Sequence, residues 1–212
     1  MTAKAEALLE RWIALAGVGA ADYGRELIER YQDPSRRYHT AEHLAHVLDV
    51  VDELADAAAD VRAVRYAAWF HDAVYSYEID VDSEPSNEEY SAQLAESVLR
   101  TLGEPDAAVR EVARLVRLTE HHAPRQDDRN GGVLCDADLA ILGSDQVTYA
   151  RYRTQIRAEY EQVLEPVFRS GRAKILRELL ALPRLFHTDS AHDRYEDAAR
   201  ANVAAEIASL ES

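Results

Sequence analysis

Apolar residues in this chain recur every three or four positions almost from end to end, and that spacing confines the fold to packed helices. Tyr23, Leu27 and Tyr31 stand at four-residue intervals. Leu44, Val47, Leu48, Val51 and Leu54 form a stripe over three turns, with Thr40 placed to cap its start. Val64, Ala67, Ala68, His71 and Tyr75 predict a helix from about Asp60 to Tyr75. Ser86 and Glu89 have capping-box spacing ahead of Tyr90, Leu94 and Val98, and Gly103 ends that segment. Pro105 suits the first turn of a helix carrying Val109, Val112 and Val116 to about Thr119.

The clearest loop is "APRQDDRNGG", dense in turn residues. "VLCDADLAILG" then reads as a short helix closed by Gly143. Ser144 is placed to cap a long helix carrying Tyr149, Tyr152, Ile156, Tyr160 and Val163, bent or stopped near Pro166. "RAKILRELLAL" follows and stops at Pro183, and a last helix runs from about Ser190 to Leu210. No run alternates with period two, so no sheet is expected. The reading is all-α, with about nine or ten helices, in a compact multi-helix arrangement. No repeat or low-complexity linker divides the 212 residues, which suit a single domain over 1–212.

Charge narrows the function. Acidic residues outnumber basic ones 39 to 24, a formal net charge of -15. A duplex nucleic-acid partner needs a basic face and is not expected. A small phosphorylated substrate stays open, because a bound metal inverts the local field. The single cysteine, Cys135, allows no intrachain disulfide and points to a reducing compartment. The first seventeen residues interleave Lys4, Glu6, Glu10 and Arg11 with apolar positions, an amphipathic helix rather than a signal peptide. No stretch approaches a transmembrane span, so no membrane partner is expected and the location read from sequence is cytoplasmic. A homo-oligomer is left open.

The polar residues inside apolar runs carry the chemistry. "AAWFHDAVY" sets His71 beside Asp72 in a segment where an unpaired carboxylate would be costly to bury. His39, His43 and His46 lie within eight residues, His121 adjoins His122, and "CDADL" offers Asp136 and Asp138. Imidazoles and carboxylates gathered from several helices are what a divalent metal site requires. His39 and His43 are four apart and His43 and His46 three apart, so neighbours can share a helix face, although a Thr40 cap leaves His39 outside the helix. A lone helical histidine is most often a surface or hydrogen-bonded residue, and His46, His187 and His192 are read that way. Arg37, Arg157 and Lys174 are candidate phosphate contacts that a solvated face would also explain.

Taken in order, "RYHTAEHL", "WFHDAVY" and "DADLAILG" resemble the HD superfamily of metal-dependent phosphohydrolases, and the longer C-terminal region resembles that of a bacterial subgroup of HD-domain phosphohydrolases. The resemblance covers a core of about 36–145, with 146–212 as a C-terminal helical extension. It implies an all-helical fold and a metal held by His43, His71, Asp72 and Asp138. Asp138 is preferred because the family's last aspartate commonly follows Ala, as in Ala137-Asp138, with Asp136 the alternative ligand or a helix cap. The "YHTAEH" spacing also resembles cyclic-nucleotide phosphodiesterases, which implies His39 as general acid. His121 and His122 fall where some members hold a second metal or the phosphate, and His122 is an alternative acid. Glu88 is the candidate for orienting water, since Glu89 has a capping role, and Asn87 is a further candidate. Two imidazoles and two carboxylates suit Mn, Fe, Co or Ni, tolerate Zn, and are less typical of Mg. The expected activity is hydrolysis of a small phosphorylated compound, with a nucleotide the favoured class. The alternative is a metal-stabilised nucleotide-binding or regulatory module without turnover.

Overall fold

Residues 2–76 and 85–212 are described by the structure, a computed structural model. Among them are ten α-helices and no strand, so the chain is all-α. The helices are α1 (Ala3–Ala16), α2 (Ala21–Tyr31), α3 (Ala41–Glu53), α4 (Val61–Phe70) and α5 (Asn87–Thr101). Beyond them come α6 (Asp106–Leu118), α7 (Arg129–Leu139), α8 (Gln146–Glu159), α9 (Glu165–Ala181) and α10 (Asp189–Glu211).

The centre of the molecule is α4. Its "YAAWF" run, Tyr66 to Phe70, is at most 1% exposed along its whole length. A segment apolar on every side must be surrounded, and α4 packs against α3, α5, α6 and α7, while Arg62 and Arg65 nearer its start pair with Glu104 and Asp52 at the surface. Trp12 from α1 closes the remaining side, edge-on to Tyr66, Trp69 and Phe70 at 5.9, 5.3 and 6.0 Å between ring centroids. Its indole N–H, also buried, donates to the Ala20 carbonyl at 2.7 Å. Further along, α5 pairs with α6, and α10 lies across α9 and the tight turn at Ala140–Gly143.

Several boundaries differ from the sequence expectation, each for an identifiable reason. The helix expected to reach Tyr75 stops at Phe70, with His71 as its capping residue. Backbone groups beyond it are taken by side chains from other elements, so the helical ladder is replaced rather than continued. The expected loop over 123–132 gives way to α7 at Arg129, where Asp128 accepts the Gly131 N–H. Asp145, not Ser144, caps α8 by accepting from Val147 and Thr148. Pro166 does not bend that helix: α8 has ended at Glu159, and the proline opens α9 from its first turn. Ser86 caps α5 by accepting the Glu89 N–H, but the Glu89 carboxylate pairs with Arg117 instead of returning to the cap.

Gly143 has a different task from the helix stop expected of it. A Cβ there would fall 2.6 Å from Cβ and 2.9 Å from Cα of Tyr195, so its absence lets α10 approach. Gly143→Ala is expected to cost roughly 1–3 kcal/mol by forcing α10 outward, read as a lower urea midpoint at unchanged slope.

Candidate metal centre

Four donor atoms from three parts of the chain meet beneath α4. Thr40 caps α3 by accepting the Glu42 N–H, which sets His43 on the first turn facing inward. The end of α4 supplies His71 and Asp72, and the last turn of α7 supplies Asp138. His43 Nε2 lies 3.0 Å from His71 Nε2 and 3.2 Å from Asp138 Oδ1. Asp72 Oδ2 lies 3.2 Å from His71 Nε2 and 3.5 Å from His43 Nε2. The imidazoles are 1% exposed and the two carboxylates 15%.

Three of these atoms could hold a divalent ion. His43, His71 and Asp138 offer one donor atom each, all within 4.8 Å of one another. Donors about 2.1 Å from a shared ion are about 3.0 Å apart at right angles and about 3.4 Å apart at tetrahedral angles. The observed separations fall close to that range. Two imidazole lone pairs 3.0 Å apart also repel unless a proton or cation lies between them. His71 donates from Nδ1 to the Ala68 carbonyl at 2.8 Å, the tautomer that leaves Nε2 free as a ligand. His43 has no such anchor: its Nδ1 is buried without a partner among the described residues, and the ring is placed by packing against Tyr38, 4.9 Å away.

The electrostatics agree with this geometry. Burial disfavours the Asp72 carboxylate, but His71, His39 and His43 outweigh it and hold its pKa well below the usual value. Burial likewise opposes Asp138, and the positive fields of His71, His122 and His43 reverse that. Burial works against a charged His71 too, yet Asp72 and Asp138 push its pKa up to about 9. A field that holds imidazolium so strongly also favours a divalent cation.

The turn carrying the dyad is held by residues from α2, the segment before α3, and α5. The Asp72 N–H donates to the Tyr31 hydroxyl at 3.3 Å, and that hydroxyl donates to the Trp69 carbonyl at 3.1 Å. Arg36, 7% exposed, donates to the carbonyls of Asp72 at 2.8 Å and His39 at 3.0 Å. Ser91 binds both backbone groups of Val74, and Asn87 both of Ser76. Asn87, a candidate for the site, is thereby a clamp on the turn. "SRRYH" gave no local sign that Arg36 rather than Arg37 would turn inward.

Glu159 is the larger omission. It ends α8, is 3% exposed, and accepts the N–H groups of Arg37, Tyr38 and His39 at 2.7, 2.9 and 3.2 Å. Its second oxygen binds His39 Nδ1. Burial opposes the charge, but His39 and the N–H groups hold its carboxyl down to about 2. The His39 ring also stacks on Tyr75, 4.3 Å between centroids. No local pattern marks Glu159, because its partners lie some 120 residues earlier.

The remaining candidates divide. His122 Nε2 lies 2.8 Å from Asp138 Oδ2, whereas the neighbouring His121 is 77% exposed and lies near Glu120. Glu88 lies half-buried; burial raises its carboxyl and the charge of Asp72 adds to that. Asp136 points away from the cluster, both oxygens accepting backbone N–H groups, from His187 at 2.6 Å and Thr188 at 2.7 Å. The guanidinium of Arg37 turns back to the Pro34 carbonyl. Arg157 closes the α8–α9 turn through Glu165 and the carbonyls of Tyr160 and Val163, and Lys174 is exposed on α9. None of these three cations contacts the cluster.

With the imidazoles of both His43 and His71 raised, an incoming cation must displace protons. Divalent-ion affinity is therefore expected to tighten as pH rises from about 6 to about 8, with proton release. Calorimetry in buffers of different ionisation enthalpy measures that release, and a pH-independent affinity would contradict it. Among known proteins, no family model, curated protein or solved structure matches the chain.

Proposed function

We propose that the protein is a metal-dependent phosphohydrolase acting on a small phosphorylated compound, with a nucleotide the favoured class. The observation that supports this most directly is the convergence of His43, His71, Asp72 and Asp138 next to a third, differently held imidazole, His39. A divalent ion of the Mn, Fe, Co or Ni kind, bound there, would polarise a phosphoryl oxygen and lower the pKa of water beside it.

The chain's own residues do the rest. His39 has Nδ1 committed to Glu159, so Nε2 is the atom that protonates a leaving oxygen. Glu159 sets the tautomer and orientation of the ring, while Arg36 holds the His39 carbonyl against the dyad turn. Glu88, its carboxyl raised by burial and by Asp72, is suited to orient water. No described helix is long and apolar enough to cross a membrane. The buried, unpaired Cys135 is consistent with a reducing, cytoplasmic setting.

Phosphate and pyrophosphate release from a panel of nucleotides and sugar phosphates, in Mn, Co, Ni and Mg, tests the reading. Turnover is expected in the wild type and should vanish in Asp72→Ala, which also controls for contaminating phosphatases. Bound nucleotide without turnover in any metal would instead favour a regulatory module. Glu159→Gln keeps an acceptor for the three N–H groups but removes the charge beside His39. It is expected to lower kcat by about a hundredfold with metal affinity and KM little changed. An unaltered kcat would remove His39 from the proposed mechanism.

A further inference from the structure

The chain leaves α6 at Leu118 through a tight reversal. The N–H groups of His121 and His122 both donate to the Leu118 carbonyl, at 3.3 and 3.0 Å. His122 sits at φ +50°, and it is the one non-glycine among the described residues with positive φ. The other two such positions, Gly17 and Gly103, are glycines that end helices. A side chain is disfavoured in that region, and glycine is the usual residue where a helix ends this way. Histidine at this position therefore calls for a compensating contact.

Asp138 supplies it. The left-handed turn directs the His122 ring inward, to 16% exposure, with Nε2 2.8 Å from Asp138 Oδ2. The other oxygen, Oδ1, lies 3.2 Å from His43 Nε2 and 3.6 Å from His71 Nε2. The two oxygens are thus divided, one toward His122 and one toward the imidazole cluster. A carboxylate has a nearly two-fold terminal torsion and would otherwise turn freely between such arrangements.

We propose that His122 is a positioning residue and not a ligand: it donates from Nε2 to Asp138 Oδ2 and so holds Oδ1 toward the cluster. The inference rests on the metal-centre reading above. It assigns the unusual backbone at position 122 to the orientation of one carboxylate. His121, one residue earlier and turned to solvent, takes no part.

The test compares wild type with His122→Gly and His122→Ala. Both variants lose the donor, but only glycine relieves the backbone. Manganese affinity and stoichiometry are measured by calorimetry, and thermal melting is measured without metal. Both variants are expected to bind manganese about 10–100-fold more weakly, by the same factor, at an unchanged one ion per chain. The glycine variant should melt a few degrees above the alanine variant. A glycine variant that binds as tightly as wild type would overturn the inference, since the turn rather than the ring would then matter. A fall from two ions to one would make His122 a ligand and overturn it as well. Equal melting of the two variants would remove the argument from the backbone. A wild type that binds no ion would overturn both this inference and the proposed hydrolase, whereas the other failures leave the hydrolase standing.

Discussion

Two carboxylates, Asp72 and Asp138, sit in the interior against two imidazoles, and the surrounding architecture serves that arrangement. Each buried charge costs several kcal/mol unless it is compensated closely. Compensation here comes from residues on α3, the end of α4 and α7, so the three elements must meet in one relative position. α4, whose Tyr66–Phe70 end is buried all round, gives them a common support. Its termination is part of the same design. A further helical turn would spend the backbone groups of Asp72 to Ser76 on the ladder; instead Tyr31, Arg36, Ser91 and Asn87 bind them and fix the turn.

A second theme runs through the C-terminal third. Three carboxylates there, or facing it, are buried and accept runs of backbone N–H groups. Glu159 takes those of residues 37–39, Asp136 those of His187 and Thr188, and Glu196 those of Leu185 and Phe186. Charge-assisted bonds of this kind are stronger than neutral ones and fix loop backbones that no regular ladder supports. Through Glu159, α8 shapes the segment that carries His39. Through Asp136, α7 is tied to the start of α10. The residues after Gly143 are thereby structural partners of the centre and not a separate appendage.

Neighbouring aspartates and neighbouring histidines met opposite fates. Asp136 and Asp138 are two apart near the end of one helix, so they lie well apart around its axis. One faces the loop before α10, the other the imidazoles. His121 and His122 are separated by a change of backbone region, not by helix rotation. Residue type alone does not separate such neighbours, since the outcome depends on which face a distant segment covers; the preference for Asp138 over Asp136 comes only through the resemblance carried by Ala137-Asp138. Arg36 and Arg37 repeat the point: one is enclosed beneath Tyr31 and Tyr75, and the other turns back onto its own loop.

The helical class, most helix positions and the Thr40 cap were legible along the chain, because apolar spacing and capping are properties of a few consecutive residues. It also brought His43, His71, Asp72 and Asp138 to notice, since polar residues inside apolar runs stand out in one dimension. Where α4 stops, and that Glu159, Arg36 and Asn87 hold the centre in place, emerged only from the packed helices. Those outcomes depend on hydrogen bonds between segments from about ten to more than a hundred residues apart. No local pattern encodes such partners; they exist only once the helices have packed.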